Sequence, residues 1–206
     1  MFKLTDRFND DVIEYKGQKL HVNLAFDVVL RAYELMADKR FNRMEKALIF
    51  FDMFIVDHKS YSFSFQDKNI IVKTIFEELL GYKKDEQSSG NKKSYDLTID
   101  APYIYASFLQ DYNIDLFEMQ GKLHWHKFLT LLNSLSKDTK LVEVINIREQ
   151  EVPPPTKHNA KERQRIMELK RIYRLESEEE VVIEADKRMA SISEAIKKQA
   201  LRKKGG

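Results

Sequence analysis

The sequence predicts a mainly α fold: a multi-helix globular domain with a small N-terminal β-hairpin and a C-terminal helical extension. Apolar residues recur at three- and four-residue spacing through most of the 206 residues, the period of a helix with one buried side. Only 6 Gly and 4 Pro are present, whereas an all-β chain of many short strands needs far more turn formers. One stretch near the start instead alternates apolar and polar residues on either side of a Gly, which is the pattern of a hairpin.

That hairpin joins Val12–Tyr15 to the alternating Leu20, Val22 and Leu24 through Lys16-Gly17-Gln18. A helix follows from Ala25 to Ala37, with Phe26, Val29, Leu30 and Tyr33 in phase. A second runs from Arg43 to Val56, and Met44, Ala47, Leu48, Phe51 and Ile55 are expected on its buried side. Tyr61, Phe63 and Phe65 alternate with Ser, so a short strand or an extended loop should pin these aromatics into the core. Gln66 to Leu80 reads as a helix stopped by Gly81 at its C-cap. The polar run Tyr82 to Ser94 has no periodicity and reads as a surface loop.

Asp100-Ala101-Pro102 opens the next helix, since Asp caps free amides and Pro is tolerated in the first turn. Asn113 ends it. Gly121 precedes a helix over Lys122 to Leu135 carrying Leu123, Trp125, Phe128, Leu129 and Leu132. Asp138 is expected to cap Thr139 to Gln150. Three prolines at 153–155 cannot continue a helix and favour a stiff extended segment. Beyond them Ala160 to Leu175 is a basic helix, and Ser177 with Glu180 forms a capping box for a last helix reaching about Leu201. The expected organisation is a helical core domain with its hairpin over 1–150, a Pro-rich linker over 151–160 and a charged helical arm over 161–206.

Charge is uneven. Residues 1–156 hold 21 Lys+Arg and 24 Asp+Glu, whereas 157–206 hold 14 and 9. Lys161, Arg163, Arg165, Lys170, Arg171 and Arg174 could meet phosphates, but Glu162 and Glu168 dilute the patch and no nucleic-acid-binding signature accompanies it. With no Cys, a disulfide framework and a thiolate metal site are both excluded. The first ten residues lack a signal peptide's basic and apolar regions, and no apolar run is long enough to span a bilayer. A cytosolic protein without a membrane partner is the expectation.

Chemistry-bearing motifs are scarce. Neither a Gly-rich phosphate loop nor a nucleophile elbow is present. His124 and His126 flank Trp125, but two residues apart on a helix they would point away from one another. Asp111 and Asp115 bracket the turn Tyr112-Asn113-Ile114, where Asp favours local backbone bonds. Arg148 either complements the end of its helix or pairs with Asp115. Tyr105, Trp125 and Phe128 are expected in the core or along a groove. No catalytic, cofactor or metal residues are assigned, and a non-enzymatic protein is expected. The candidate partner-binding residues are Ile166, Leu169 and Ile172, continued by Met189, Ile192 and Ile196, because a narrow apolar stripe on charged helices needs cover.

The stretch Asp100 to Arg148 carries a resemblance. Tyr103-Ile104-Tyr105-Ala106-Ser107-Phe108, Tyr112 with Ile114-Asp115-Leu116, Leu123-His124-Trp125 with Lys127-Phe128, and Ile147-Arg148 resemble the bacteriophage gene-product-fifteen family, found in tail modules of siphophages and of prophages of Gram-positive bacteria. Leu4-Thr5-Asp6 and Asn23-Leu24-Ala25-Phe26-Asp27 with Val29-Leu30 are similar as well. The resemblance covers roughly residues 1–175. It departs at His126, where the family often has a second Trp, and the stretch after Ser177 is less family-like. It implies no enzymatic activity. By gene order it implies a tail-assembly chaperone in the host cytoplasm, with the tape-measure protein and the major tail protein as partners and homo-oligomerisation open. A structural tail or connector component of the virion, or a nucleic-acid-binding protein acting through the basic arm, are the alternatives.

Overall fold

A computed structural model describes residues 11–81 and 94–175. The fold is mainly helical with one two-stranded antiparallel sheet. The described residues form two compact units, one from 11–81 and 103–142, the other from 94–102 and 143–175. The unit boundaries thus fall near the starts of two helices, whereas sequence reading places the division at the proline run.

The first unit begins with β1 (Val12–Tyr15) and β2 (Gln18–His21), paired so that Ile13 faces Leu20 and Tyr15 faces Gln18. The turn has two residues, Lys16 and Gly17, with φ of 50° and 72°. Both lie in the left-handed region, as the tight turn matching strand twist requires, and Gly occupies the second place at no steric cost. Tyr15 Oη and Lys16 Nζ both donate to Asp67, each at 2.8 Å. Asp67 is also the third residue of a capping box with Ser64, so one carboxylate caps a helix and holds the hairpin to it.

After β2 the chain stays extended, and Val22 bridges Ile55 while Ala25 bridges His124. Helix α1 (Phe26–Ala37) buries Phe26, Val29 and Ala32. Helix α2 (Arg43–Phe54) is capped by Asn42, with Glu45 closing the box. Its buried side is Ala47, Phe50, Phe51 and Phe54, whereas Met44 is 60% and Leu48 39% exposed. The expected face is therefore rotated. The run Ala47 to Phe51 is apolar at every position, so period alone does not choose a side, and the larger rings take the core.

Tyr61 and Phe63 lie in extended chain rather than a strand. Phe63 meets Tyr15, Phe51 and Tyr61 at ring separations of 5.7–6.1 Å. Helix α3 (Phe65–Thr74) continues through one wider turn, Ile75–Leu79, to Gly81 at φ 67°. The expected loop over Tyr82 to Ser94 lies, apart from Ser94, outside the described residues. Helix α4 (Ala101–Tyr112) ends at Asn113 with φ 52°, an αL residue that Asn tolerates. Helix α5 (Trp125–Asn133) starts three residues later than its pattern suggests. Leu123 and His124 are drawn off as a bridge instead: Phe26 N donates to Leu123 O at 2.9 Å, and Trp125 N to Leu24 O at 2.8 Å.

A ladder of rings fills this unit. Phe128 stacks on Phe26 (5.1 Å), Phe108 (5.3 Å) and Trp125 (5.6 Å). The rings of α1, α4 and α5 thus meet at one fully buried residue. Ser107 Oγ accepts the Leu141 amide at 3.1 Å and donates to Tyr103 O at 2.7 Å, satisfying a first-turn N–H that has no partner within its own helix.

The second unit contains most of α6 (Lys140–Glu149) and all of α7 (Ala160–Ile172). Val144 and Ile166 are its buried apolar residues. Lys170 Nζ donates to the carbonyls of Arg148 and Gln150, each at 2.6 Å, covering the exposed C-terminal carbonyls of α6 with a cation. Arg163 donates to Pro153 O. The predicted last helix from Ser177 lies outside the described residues.

Candidate functional site

Three places bring polar or exposed apolar groups together. The first is the His pair. His124 is the N-cap of α5, with ψ 144°, so the two residues do not follow one another on a helix as expected. His124 Nδ1 accepts the His126 amide at 3.1 Å, and Nε2 meets Asp11 Oδ2 at 2.8 Å. An acceptor at Nδ1 places the proton on Nε2, which then donates to Asp11. Both ring nitrogens are occupied by protein. His126 Nε2 meets Leu79 O at 3.0 Å. Burial, reinforced by neighbouring His124, pushes the His126 pKa below its ordinary 6.5 against the pull of that carbonyl. Among the described residues no group of three or more His, Asp or Glu is placed to hold a metal ion. The His pair is a splint between the start of α5, the end of α3 and Asp11.

The paired acids separate. Asp111 accepts from Ser136 N (2.7 Å) and Oγ (3.0 Å), whereas Asp115 accepts from the Phe117 amide (2.9 Å) and Tyr105 Oη (3.1 Å). Arg148 does not reach Asp115. Its Nη1 and Nη2 clamp Asp100 at 2.6 and 2.7 Å, while Nη1 also donates to the carbonyl of Ser94 and Nε to that of Tyr173. Asp100 is fully buried and also accepts the Asp96 amide at 3.0 Å. Sequence spacing hides this pair, since 48 residues separate its members. Trp125 and Phe128 are core residues. Tyr105 is half-buried with its ring against Phe117 at 5.2 Å.

The second place is the outer side of α2. Met44 and Leu48 are 60% and 39% exposed, and their four-residue spacing puts them on one side of the helix; Phe41, 37% exposed, precedes the N-cap Asn42. Sequence reading took Met44 and Leu48 for core and so missed this surface.

The third is α7. Ile166 is 4% exposed and already covered, Leu169 is half-buried, and Ile172 is 60% exposed. Met189, Ile192 and Ile196 lie outside the described residues. On another side of α7 a shallow, apolar-walled groove runs past Pro155, Asn159, Ala160, Gln164 and Met167. Met167 is 55% exposed there.

A family model described as Bacteriophage Gp15 protein matches residues 5–175. The chain belongs to that family. It is accordingly a phage protein related to the virion or its tail. The match takes in both units, including the Arg148–Asp100 clamp and α7. Comparison with curated proteins and with solved structures gave no match.

Proposed function

We propose that this family member is a non-enzymatic tail-assembly chaperone that binds the tape-measure protein in the host cytoplasm until the major tail protein polymerises around it. The observation that carries the reading is membership in the Gp15 family over residues 5–175. The physical support is a set of exposed apolar side chains: Phe41, Met44 and Leu48 in and just before α2, and Ile172 on the charged helix α7. A tape measure is a long apolar helical protein. Helix-in-groove contacts of this kind would shield it, and many weak copies would act by avidity while remaining displaceable.

Co-expression with the tape measure of the same phage is the test. The reading requires the tape measure to stay soluble and to co-purify with this chain, and Met44→Glu with Leu48→Glu should weaken that capture. An insoluble, unbound tape measure refutes it. Stoichiometric presence in purified virions would favour a structural tail or connector component instead.

A further inference from the structure

Among the described residues Phe117 is the most exposed large apolar side chain, at 69%, and it is held in place. Asp115 Oδ1 accepts the amides of Phe117 and Glu118 at 2.9 and 3.4 Å, and Oδ2 accepts Tyr105 Oη at 3.1 Å. The Phe117 ring rests on that same Tyr105 at 5.2 Å. One carboxylate thus fixes both the turn that carries the ring and the ring beneath it. Leu109, 43% exposed, lies one helical turn beyond Tyr105 on the same side of α4. Acids flank this knob. The Tyr105 pKa is raised, first by its bond to Asp115 and also by the nearby charge of Glu118. An aromatic side chain already ordered in solvent loses little further freedom on contact, as an interface anchor should. The groove on α7 has the opposite character. It measures about 320 Å³ and runs past Pro155, Ala160 and Met167, room for a phenyl ring, since a cavity of about 150 Å³ already takes benzene. Met167 is 55% exposed, with Arg163 one turn before it and Arg171 one turn after, on the same side of the helix. None of Glu118, Arg163 and Arg171 has an ion pair to a described residue.

We infer that Phe117 of one copy seats in the α7 groove of a second copy, so that the chain associates with itself head to tail. The occupant is a second copy because this one sequence carries both complementary halves: an apolar knob between acids and an apolar groove between arginines. Seated there, Phe117 covers Met167, a contact between ring and thioether that is itself favourable. Asp115 and Glu118 come against Arg163 and Arg171, which steers the encounter and fixes its orientation. The two surfaces are different, so the contact is heterologous. Each bound copy still presents one free knob and one free groove, and addition continues until a ring closes or a filament grows. The inference goes beyond tape-measure binding and does not rest on it, since it uses none of Phe41, Met44, Leu48 and Ile172.

The test uses the full chain and two substitutions at exposed positions, Phe117→Ser and Met167→Glu, with circular dichroism confirming that each variant stays folded. Sedimentation velocity across a range of concentrations should show the unsubstituted chain forming species larger than a dimer. Each variant alone should lose about tenfold or more in self-affinity, the factor carried by one buried Phe or Met side chain. Mixed in equal amounts, the two should form a dimer and nothing larger. The Met167→Glu chain keeps its Phe117, and the Phe117→Ser chain keeps its groove, so one sound contact forms and neither end can extend. A contact between like surfaces would not give that result. Glu118→Lys should also weaken association, because it sets a cation against Arg163 and Arg171. An unsubstituted chain that stays monomeric overturns the inference. So does an association that any of the three substitutions leaves unchanged, or a mixture that remains monomeric.

Discussion

Arg148→Met should be the most damaging single substitution in the second unit. The guanidinium makes a bidentate pair with a fully buried carboxylate, and Arg148 itself is only 10% exposed. Removing one partner leaves the Asp100 charge in a site that water does not reach, a loss of about 3–5 kcal/mol. The carbonyls of Ser94 and Tyr173 lose their donor as well. Asp100→Asn should soften the effect, because a neutral amide is much cheaper to bury than an unpaired carboxylate. The double variant should therefore be more stable than Arg148→Met alone. Arg148→Lys should fall between, since an ammonium cannot make the planar two-pronged contact. Urea denaturation followed by far-UV circular dichroism gives the energies, and amide exchange locates them in 94–100 and 160–172. A cost below about 1 kcal/mol for Arg148→Met, the value of an exposed pair, would refute this account of the clamp. So would a double variant no better than the single.

Other consequences are equally accessible. Phe128→Ala should lose about 3–5 kcal/mol and shift Trp125 fluorescence, because it empties the place where three aromatic rings converge; urea titration read by that fluorescence checks both. Ser107→Ala should cost about 1–3 kcal/mol by leaving the Leu141 amide without its acceptor, measured the same way. Acid should act through His126, whose folded pKa is depressed below 6.5. The unfolded chain then takes up the proton first, so stability is full above that value and falls as pH drops through it. His126→Gln keeps a donor near Leu79 O and should flatten the pH dependence of the urea midpoint just below pH 6.5. An unchanged slope argues against it. Gly17→Ala should cost about 1–2 kcal/mol by forcing a Cβ into the left-handed region at φ 72°, seen as a lowered melting temperature.

Local grammar was legible and long-range pairing was not. The hairpin, Gly81 and Asn113 declare themselves because turn chemistry is decided within two or three residues. The ring ladder was legible as apolar phase along each helix, but not as the single convergence on Phe128. The misread side of α2 has a clear cause: with Ala47 to Phe51 apolar throughout, only competition among rings from distant segments decides which residues remain outside. The late start of α5 follows from Leu24 and Phe26, nearly a hundred residues upstream, which claim the backbone at Leu123 and Trp125. The Arg148 clamp likewise depends on chain folding that no spacing rule encodes. Family membership was legible because it is spread over many positions, whereas the exposed apolar surface of Met44 and Leu48 looks, in sequence, like more core.

The bond between Asp27 and Gly121 has a consequence for synthesis. The Gly121 amide donates to Asp27 Oδ1 at 2.8 Å across 94 residues, within a unit assembled from two separate stretches of chain. A ribosome adds about 5–20 residues per second, so α1 waits on the order of 5–20 s before the segment that covers Phe26 is made. Through that interval its apolar side is exposed in the nascent chain, open to the host's own folding factors or to a neighbouring nascent chain. The speed of translation through residues 82–128 therefore sets how long the newborn protein stays vulnerable to aggregation, and a slow-codon stretch placed there should lower the soluble yield without altering the finished fold.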